Sequence, residues 1–214
     1  VVLGVDRAGL VGDDGETHHG LFDVAYLDTV PNMTVLAPAS FAELEVMLER
    51  ALFRIEGPVA VRYPRGGEGG YTGTGGEAPS VILRWGGDIT LAGYGTEINC
   101  VLEAADLLEQ RGIRAEVVKL NQITPLIPDM VELSVRKTGI LLVAEEQAAR
   151  GGVGQRLAAR LEEAGLPARV ALVNCGEGLI PHGAVGLLKQ DLSLDGAGIF
   201  KKALEVLGRG QTEA

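Results

Sequence analysis

The sequence predicts an α/β protein made of two three-layer αβα parts, the second with a mostly parallel sheet. Three observations carry this expectation. Short β-branched apolar runs alternate with segments whose apolar residues recur at helical spacing. Glycines stand where those helical segments should end. A segment with seven glycines in eleven residues, Gly66–Gly76, divides the chain.

In the first part, strands are expected at Val1–Val5, Met33–Ala37 and Val59–Tyr63. Each is a short apolar run of the kind that parallel sheets bury. Between the last two, Leu44, Met47, Leu48, Ala51 and Leu52 share one face of a helix over Ser40–Ile55. Ser40 followed by Glu43 has the capping-box pattern, and Gly57-Pro58 closes the helix. Three strands make a small sheet, and the chain opens inside an apolar run. The expectation is that residues 1–68 are the later portion of a larger domain.

Residues 69–87 read as a flexible linker. A phosphate-cradling loop does not fit there, because no Gly-Lys-Ser/Thr opens a helix. Over residues 88–214 the alternation becomes regular. Strands are expected at Ile89–Ala92, Ala115–Leu120, Ile140–Ala144 and Arg169–Val173. Helices are expected at Ile98–Arg111, Pro128–Arg136, Gly154–Ala164 and Ile199–Leu207, with Gly112, Gly139 and Gly165 as C-terminal caps. Four strands with these helices form a complete small sheet covered on both faces.

Composition narrows the function classes. With 46% hydrophobic and 22% charged residues, the 214-residue chain is expected to fold rather than stay disordered. A net charge of −10 leaves no basic footprint for nucleic acid or an anionic membrane. No apolar run approaches the roughly 18 residues of a membrane span, and no leader pattern is visible, so a cytoplasmic location is expected. Cys100 and Cys175 lie in apolar surroundings without metal spacing and read as buried thiols.

Several residues are candidates for chemistry. Gly93-Tyr94-Gly95-Thr96 and Gly151-Gly152-Val153-Gly154 each follow a strand, but Ile98 and Leu157 stand where a dinucleotide fingerprint needs its third glycine. Tight helix–strand packing is the preferred explanation for both. Glu145 and Glu146 end an apolar strand, where acid–base work or hydrogen bonding to loop backbone are both open and the second is favoured. His182, in a Pro/Gly turn, reads as structural.

The densest segment is Asp6–Gly20, which follows a strand and so lies at the sheet's carboxyl edge. It is either a solvated loop or a site. Asp14 can orient the imidazole of His18. Arg7, Arg62 and Arg65 can converge there, and guanidinium forks suit a phosphate or carboxylate ligand.

The strings Asp6-Arg7-Ala8-Gly9-Leu10-Val11-Gly12, Asp14-Gly15-Glu16-Thr17-His18-His19-Gly20-Leu21-Phe22-Asp23 and Arg62-Tyr63-Pro64-Arg65-Gly66 resemble the 1-deoxy-D-xylulose 5-phosphate synthase family. Pro31-Asn32-Met33, Val143-Ala144-Glu145-Glu146 and Ile180-Pro181-His182-Gly183 extend the likeness over nearly the whole chain. These are thiamine-diphosphate enzymes of the transketolase superfamily.

The resemblance implies that residues 1–68 are the later portion of a pyrimidine-binding domain and 88–214 a transketolase C-terminal-type domain. It implies a condensation of pyruvate with glyceraldehyde 3-phosphate, with release of carbon dioxide. Arg7 and Arg65 match the arginines that hold the acceptor's phosphate. Asp14 and His18 match its acceptor-site polar pair, with His18 placed for proton transfer. The family's thiamine diphosphate and Mg2+ ligands fall outside this sequence. The chain alone is therefore expected to bind neither and to be inactive, needing a diphosphate-binding part and a homodimer. Two alternatives stay open: a separate subunit of a split transketolase or a 2-oxoacid dehydrogenase β-type enzyme, or a non-catalytic dimerisation module.

Overall fold

The computed structural model describes residues 1–209. Its strands form two sheets. The first has the order β1-β3-β2-β7 and comprises β1 (Val2–Val5), β2 (Thr34–Leu36), β3 (Val59–Arg62) and β7 (Gln122–Thr124). β1, β3 and β2 run parallel, and β7 pairs antiparallel with β2. The second has the order β4-β6-β5-β8-β9, from β4 (Ser80–Arg84), β5 (Ile89–Tyr94), β6 (Ala115–Leu120), β8 (Ile140–Ala144) and β9 (Arg169–Val173). Only β4 runs antiparallel in it.

The helices are α1 (Asp23–Asp28), α2 (Phe41–Phe53), α3 (Ile98–Glu109), α4 (Asp129–Thr138), α5 (Val153–Glu163), α6 (Val185–Asp191) and α7 (Gly196–Val206). Ser40 Oγ accepts from the Glu43 N–H, as the capping pattern predicts, while the Glu43 carboxylate reaches the Ala39 N–H. Gly139 caps α4 in the left-handed region, at φ 67°.

Strand parity decides the cores. Ile89 and Leu91 of β5, with Val117 of β6, face α3 and α7. The opposite residues, Ala92, Tyr94, Val118 and Leu120, pack with α4, α5 and α1, and also with Val35 and Ala60 of the first sheet. The two sheets thus share one apolar core. A separate cluster, with Met47 and Ala51 of α2 on Val59 and Val61, covers the first sheet's other face.

Two expectations about the middle of the chain are corrected. β4 lies inside the segment read as linker, so sheet pairing resumes at Ser80 rather than near Ile89. The glycine-rich stretch is not free coil. Tyr71 N–H donates to Asn99 Oδ1 at 2.8 Å, Ser40 Oγ donates to the Gly73 carbonyl at 2.5 Å, and Glu68 accepts from Phe41 N–H at 2.7 Å. Glycine content permitted this path, but side chains on α2 and α3 fix it. The first sheet also gains β7 from the second part.

A buried ion pair joins the same pieces. Lys119 on β6 and Glu43 on α2 are both fully buried, with Nζ 2.8 Å from Oε2. Tyr71 O–H donates to the other carboxylate oxygen at 2.8 Å, and Lys119 also bonds Asn121 Oδ1. Burial lowers the Lys119 pKa, and Glu43 acts against that shift. Lys119→Met leaves the Glu43 carboxylate buried without its cation and is expected to cost about 3–5 kcal/mol. Lys119→Met with Glu43→Gln is expected to recover most of that loss, since the amide oxygen still accepts from Ala39 N–H and the Tyr71 hydroxyl can turn to accept from the amide N–H. Urea unfolding of both variants checks this; a double variant as unstable as the single one would contradict it.

Candidate functional site

The Asp6–Gly20 loop leaves β1 and turns back on itself. Gly9 and Gly20 exchange reciprocal backbone hydrogen bonds of 2.9 Å, and Ala8 N–H reaches the Tyr63 carbonyl at 3.0 Å. A Cβ on Gly20 would lie 2.2 Å from the Arg7 carbonyl oxygen, so the crossing needs glycine there. A short 3-10 turn, Gly12–Asp14, brings Asp14 back toward the strand ends.

Arg7 and Arg65 converge on that carboxylate. Arg7 Nε donates to Asp14 Oδ2 at 3.1 Å and Arg65 Nη1 lies 2.7 Å from Oδ1. Arg7 follows β1 and Arg65 follows β3, neighbours in the first sheet. The guanidinium groups are about half open to solvent, at 41% and 52%, and Arg7 also meets Asp6 at 2.9 Å. Two half-exposed guanidinium groups from neighbouring strand ends are thus held on one carboxylate.

Arg62 does not join them. It shares strand parity with Ala60 and so points into the inter-sheet core, 4% exposed. There Nε donates to Asp23 Oδ2 at 2.6 Å, and Nη2 donates to the Gly20 carbonyl at 2.8 Å. Burial works to lower its pKa, but the Asp23 carboxylate raises it further, so it stays charged.

The expected Asp14–His18 pair is likewise absent. Asp14 is taken by the two arginines, which reach both of its oxygens. The exposed His18 ring instead contacts Thr17 Oγ1 at 3.2 Å. His19, not singled out in the sequence, supports the loop: its Nδ1 accepts from Val11 N–H at 3.0 Å. Nδ1 is therefore the unprotonated nitrogen.

The second half closes the site from behind. Glu145, 1% exposed, accepts from Val153 N–H at 2.8 Å, Gly154 N–H at 3.0 Å and Tyr94 O–H at 2.8 Å. This carboxylate sits at the α5 N-terminus, where the helix favours negative charge. Burial nevertheless pushes its pKa up. A Cβ on Gly152 would lie 2.5 Å from it, which accounts for that glycine cluster by packing. Glu146 accepts from Leu10 N–H at 2.7 Å. Both glutamates thus serve loop and helix backbone. His182 is exposed in its turn. Cys100 is only half-buried and lies 3.6 Å from Lys189 Nζ, which corrects its apolar assignment.

The family model described as the transketolase pyrimidine binding domain matches residues 1–67, and that of the transketolase C-terminal domain matches 79–199. The chain belongs to the transketolase family. Among its relatives, the proteins named 1-deoxy-D-xylulose-5-phosphate synthase from Heliobacterium modesticaldum and Thermomicrobium roseum are 39% and 38% identical over the whole chain. The chain spans about a third of their length, 34% and 35%. A solved structure described as a split gene transketolase, in an inactive beta4 tetramer, matches with a TM-score of 0.87 and 28% identity. That match covers 99% of this chain and 68% of the other. A transketolase mutant from Pichia stipitis shares the fold, with a TM-score of 0.74 at 17% identity, over 97% of this chain and 30% of its own.

Because Asp14 occupies both arginines, a ligand anion must compete with it. Asp14→Asn is expected to tighten inorganic phosphate binding by about three- to tenfold, allowing for solvent screening of a half-exposed cluster. Calorimetric titration checks the sign; weaker binding would show that Asp14 organises the arginines more than it blocks them.

Proposed function

We propose that this chain is the acceptor-side part of a thiamine-diphosphate-dependent synthase that joins pyruvate to glyceraldehyde 3-phosphate, forming 1-deoxy-D-xylulose 5-phosphate and carbon dioxide. The observation that carries the reading is the convergence of Arg7 and Arg65, from adjacent strand ends, on one carboxylate. The names of the relatives agree with it.

In this reading Arg7 and Arg65 bind the acceptor's phosphate, which takes the place of Asp14 at both forks. His18, exposed on the same loop, turns from Thr17 and gives a proton to the aldehyde oxygen as that oxygen becomes a hydroxyl. Thiamine diphosphate supplies the electron sink for decarboxylation. Among the described residues, no group of three or more His, Cys, Asp or Glu side chains is placed to hold a metal ion. In this reading a diphosphate-binding part elsewhere carries the metal and the cofactor's diphosphate. No described helix is long and apolar enough to cross a membrane.

A second reading, a separate subunit of a split enzyme, is favoured by the near-complete match to the split gene transketolase. Both readings need a partner that carries the diphosphate-binding part. Carbon dioxide release from pyruvate, and product formation, are expected only when a chain bearing the diphosphate-binding part is joined or added. In that assembly Arg65→Ala is expected to raise the acceptor KM about ten- to a hundredfold and leave pyruvate decarboxylation nearly unchanged. His18→Ala is expected to slow carbon–carbon bond formation about 10²–10⁴-fold. Equal losses for both substrates in Arg65→Ala would give that residue a structural role and overturn the reading.

A further inference from the structure

Three buried ionisable groups behind the loop take no part in the chemistry above. Glu146 Oε1 lies 2.7 Å from Lys189 Nζ, and Lys189 donates to Glu97 Oε2 at 2.7 Å. Side-chain exposures are 10%, 15% and 2% for Glu146, Lys189 and Glu97. They come from three places in the second half: the end of β8, the middle of α6, and the turn before α3.

Two carboxyl groups here share one ammonium. Lys189 holds Glu146 ionised, its pKa lowered against the effect of burial, while burial pushes the Glu97 carboxyl well up. Apolar residues would fill such a space at no desolvation cost. What the triad has that an apolar core lacks is a fixed, charged hydrogen-bond acceptor, and its free oxygen faces the loop. Glu146 Oε2 accepts from Leu10 N–H at 2.7 Å, a buried bond.

The loop is shaped to receive it. A Cβ on Gly9, which has φ +80°, would lie 2.4 Å from Glu146 Oε2. Beside this contact, Gly183 N–H reaches the Gly12 carbonyl at 3.3 Å, and Ala148 N–H reaches the Leu21 carbonyl at 2.8 Å. Every one of these grips comes from the second half. Leu10 lies between Arg7 and the 3-10 turn that carries Asp14.

We propose that Glu146, held by Lys189, is a positioning residue for the anion-binding loop, fixing Leu10 and thereby the backbone that sets Arg7 beside Arg65. The second half of the chain, which supplies none of the proposed substrate-binding groups, would in this way set their geometry. The purpose assigned to the loop rests on the acceptor reading; the grip itself does not.

Hydrogen exchange of the Leu10 amide, followed by NMR in the chain without ligand, tests the grip. Glu146→Ala is expected to speed that exchange about ten- to a hundredfold, the effect of losing a hydrogen bond to a charged group. Glu146→Gln keeps an acceptor oxygen and is expected to retain the protection. Glu97→Gln alters the same triad but does not touch the loop, and is expected to leave Leu10 within about twofold of the parent. Should Glu146→Ala not fold, Gly9→Ala displaces the carboxylate from Leu10 while keeping every charge, and is expected to release Leu10 alike.

Inorganic phosphate titrated into the same variants gives the second readout. Its affinity is expected to fall about three- to tenfold in Glu146→Ala and to stay unchanged in Glu97→Gln. Equal changes in the Glu146 and Glu97 variants would make the triad a mere core element and overturn the proposal, as would a Leu10 amide still protected in Glu146→Ala or Gly9→Ala. Phosphate that fails to bind the parent chain would overturn the acceptor reading, while the Leu10 contrast would still decide the grip.

Discussion

The Arg62 guanidinium is the point on which the rest of the structure turns. It stands on the inner face of β3, between the two sheets, with Asp23 of α1 at 2.6 Å and the Gly20 carbonyl at 2.8 Å. A third donation reaches the Glu146 carbonyl at 3.3 Å, and the group stacks over the Tyr94 ring at 5.7 Å. One cation therefore meets the helix after the loop, the loop's closing glycine, the end of β8 and the end of β5. A buried charge is tolerated only when its donors are met, so the positions of all these groups are mutually constrained.

That constraint explains why the chain is not two beads on a string. The first sheet offers Val35 and Ala60 to the same apolar cluster as Val118, Leu120 and Val143 of the second. On the far side the Lys119–Glu43 pair repeats the theme, with Tyr71 of the glycine-rich stretch bound into it. Between these two buried cations, the carboxyl ends of both sheets face one another across the loop that carries Arg7, Asp14 and His18. The loop is located by backbone and side-chain hydrogen bonds to Tyr63, Arg62, Glu146 and Gly183.

Much of this was legible in the sequence, and the losses have physical causes. β5, β8 and β9 were readable as short, mostly apolar runs, and β6 as one interrupted by Glu116 and Lys119. β7 has three residues, too few for any period to show, and β4 was hidden by the glycine composition just before it. α1 and α6, of six and seven residues, are held by tertiary packing rather than by their own periodicity. Arg7, Asp14 and Arg65 were picked out by residue type and place, and they meet; His18 was picked out with them and does not join. Parity shows that Arg62 and Val61 point to opposite faces, but not which face meets another sheet. Nor does nearness in sequence reveal that Asp14 prefers two guanidinium groups 7 and 51 positions away to an imidazole four away. Glu43 was read as a cap and Lys119 as one residue of a strand, because their pairing exists only in three dimensions.

Arg62 and the shared core make both sheets and the loop one cooperative unit. Differential scanning calorimetry of the chain tests this most directly. A single transition is expected, with the calorimetric enthalpy equal to the van't Hoff enthalpy. Two resolved transitions, with residues before the glycine-rich stretch melting apart from those after it, would contradict the claim.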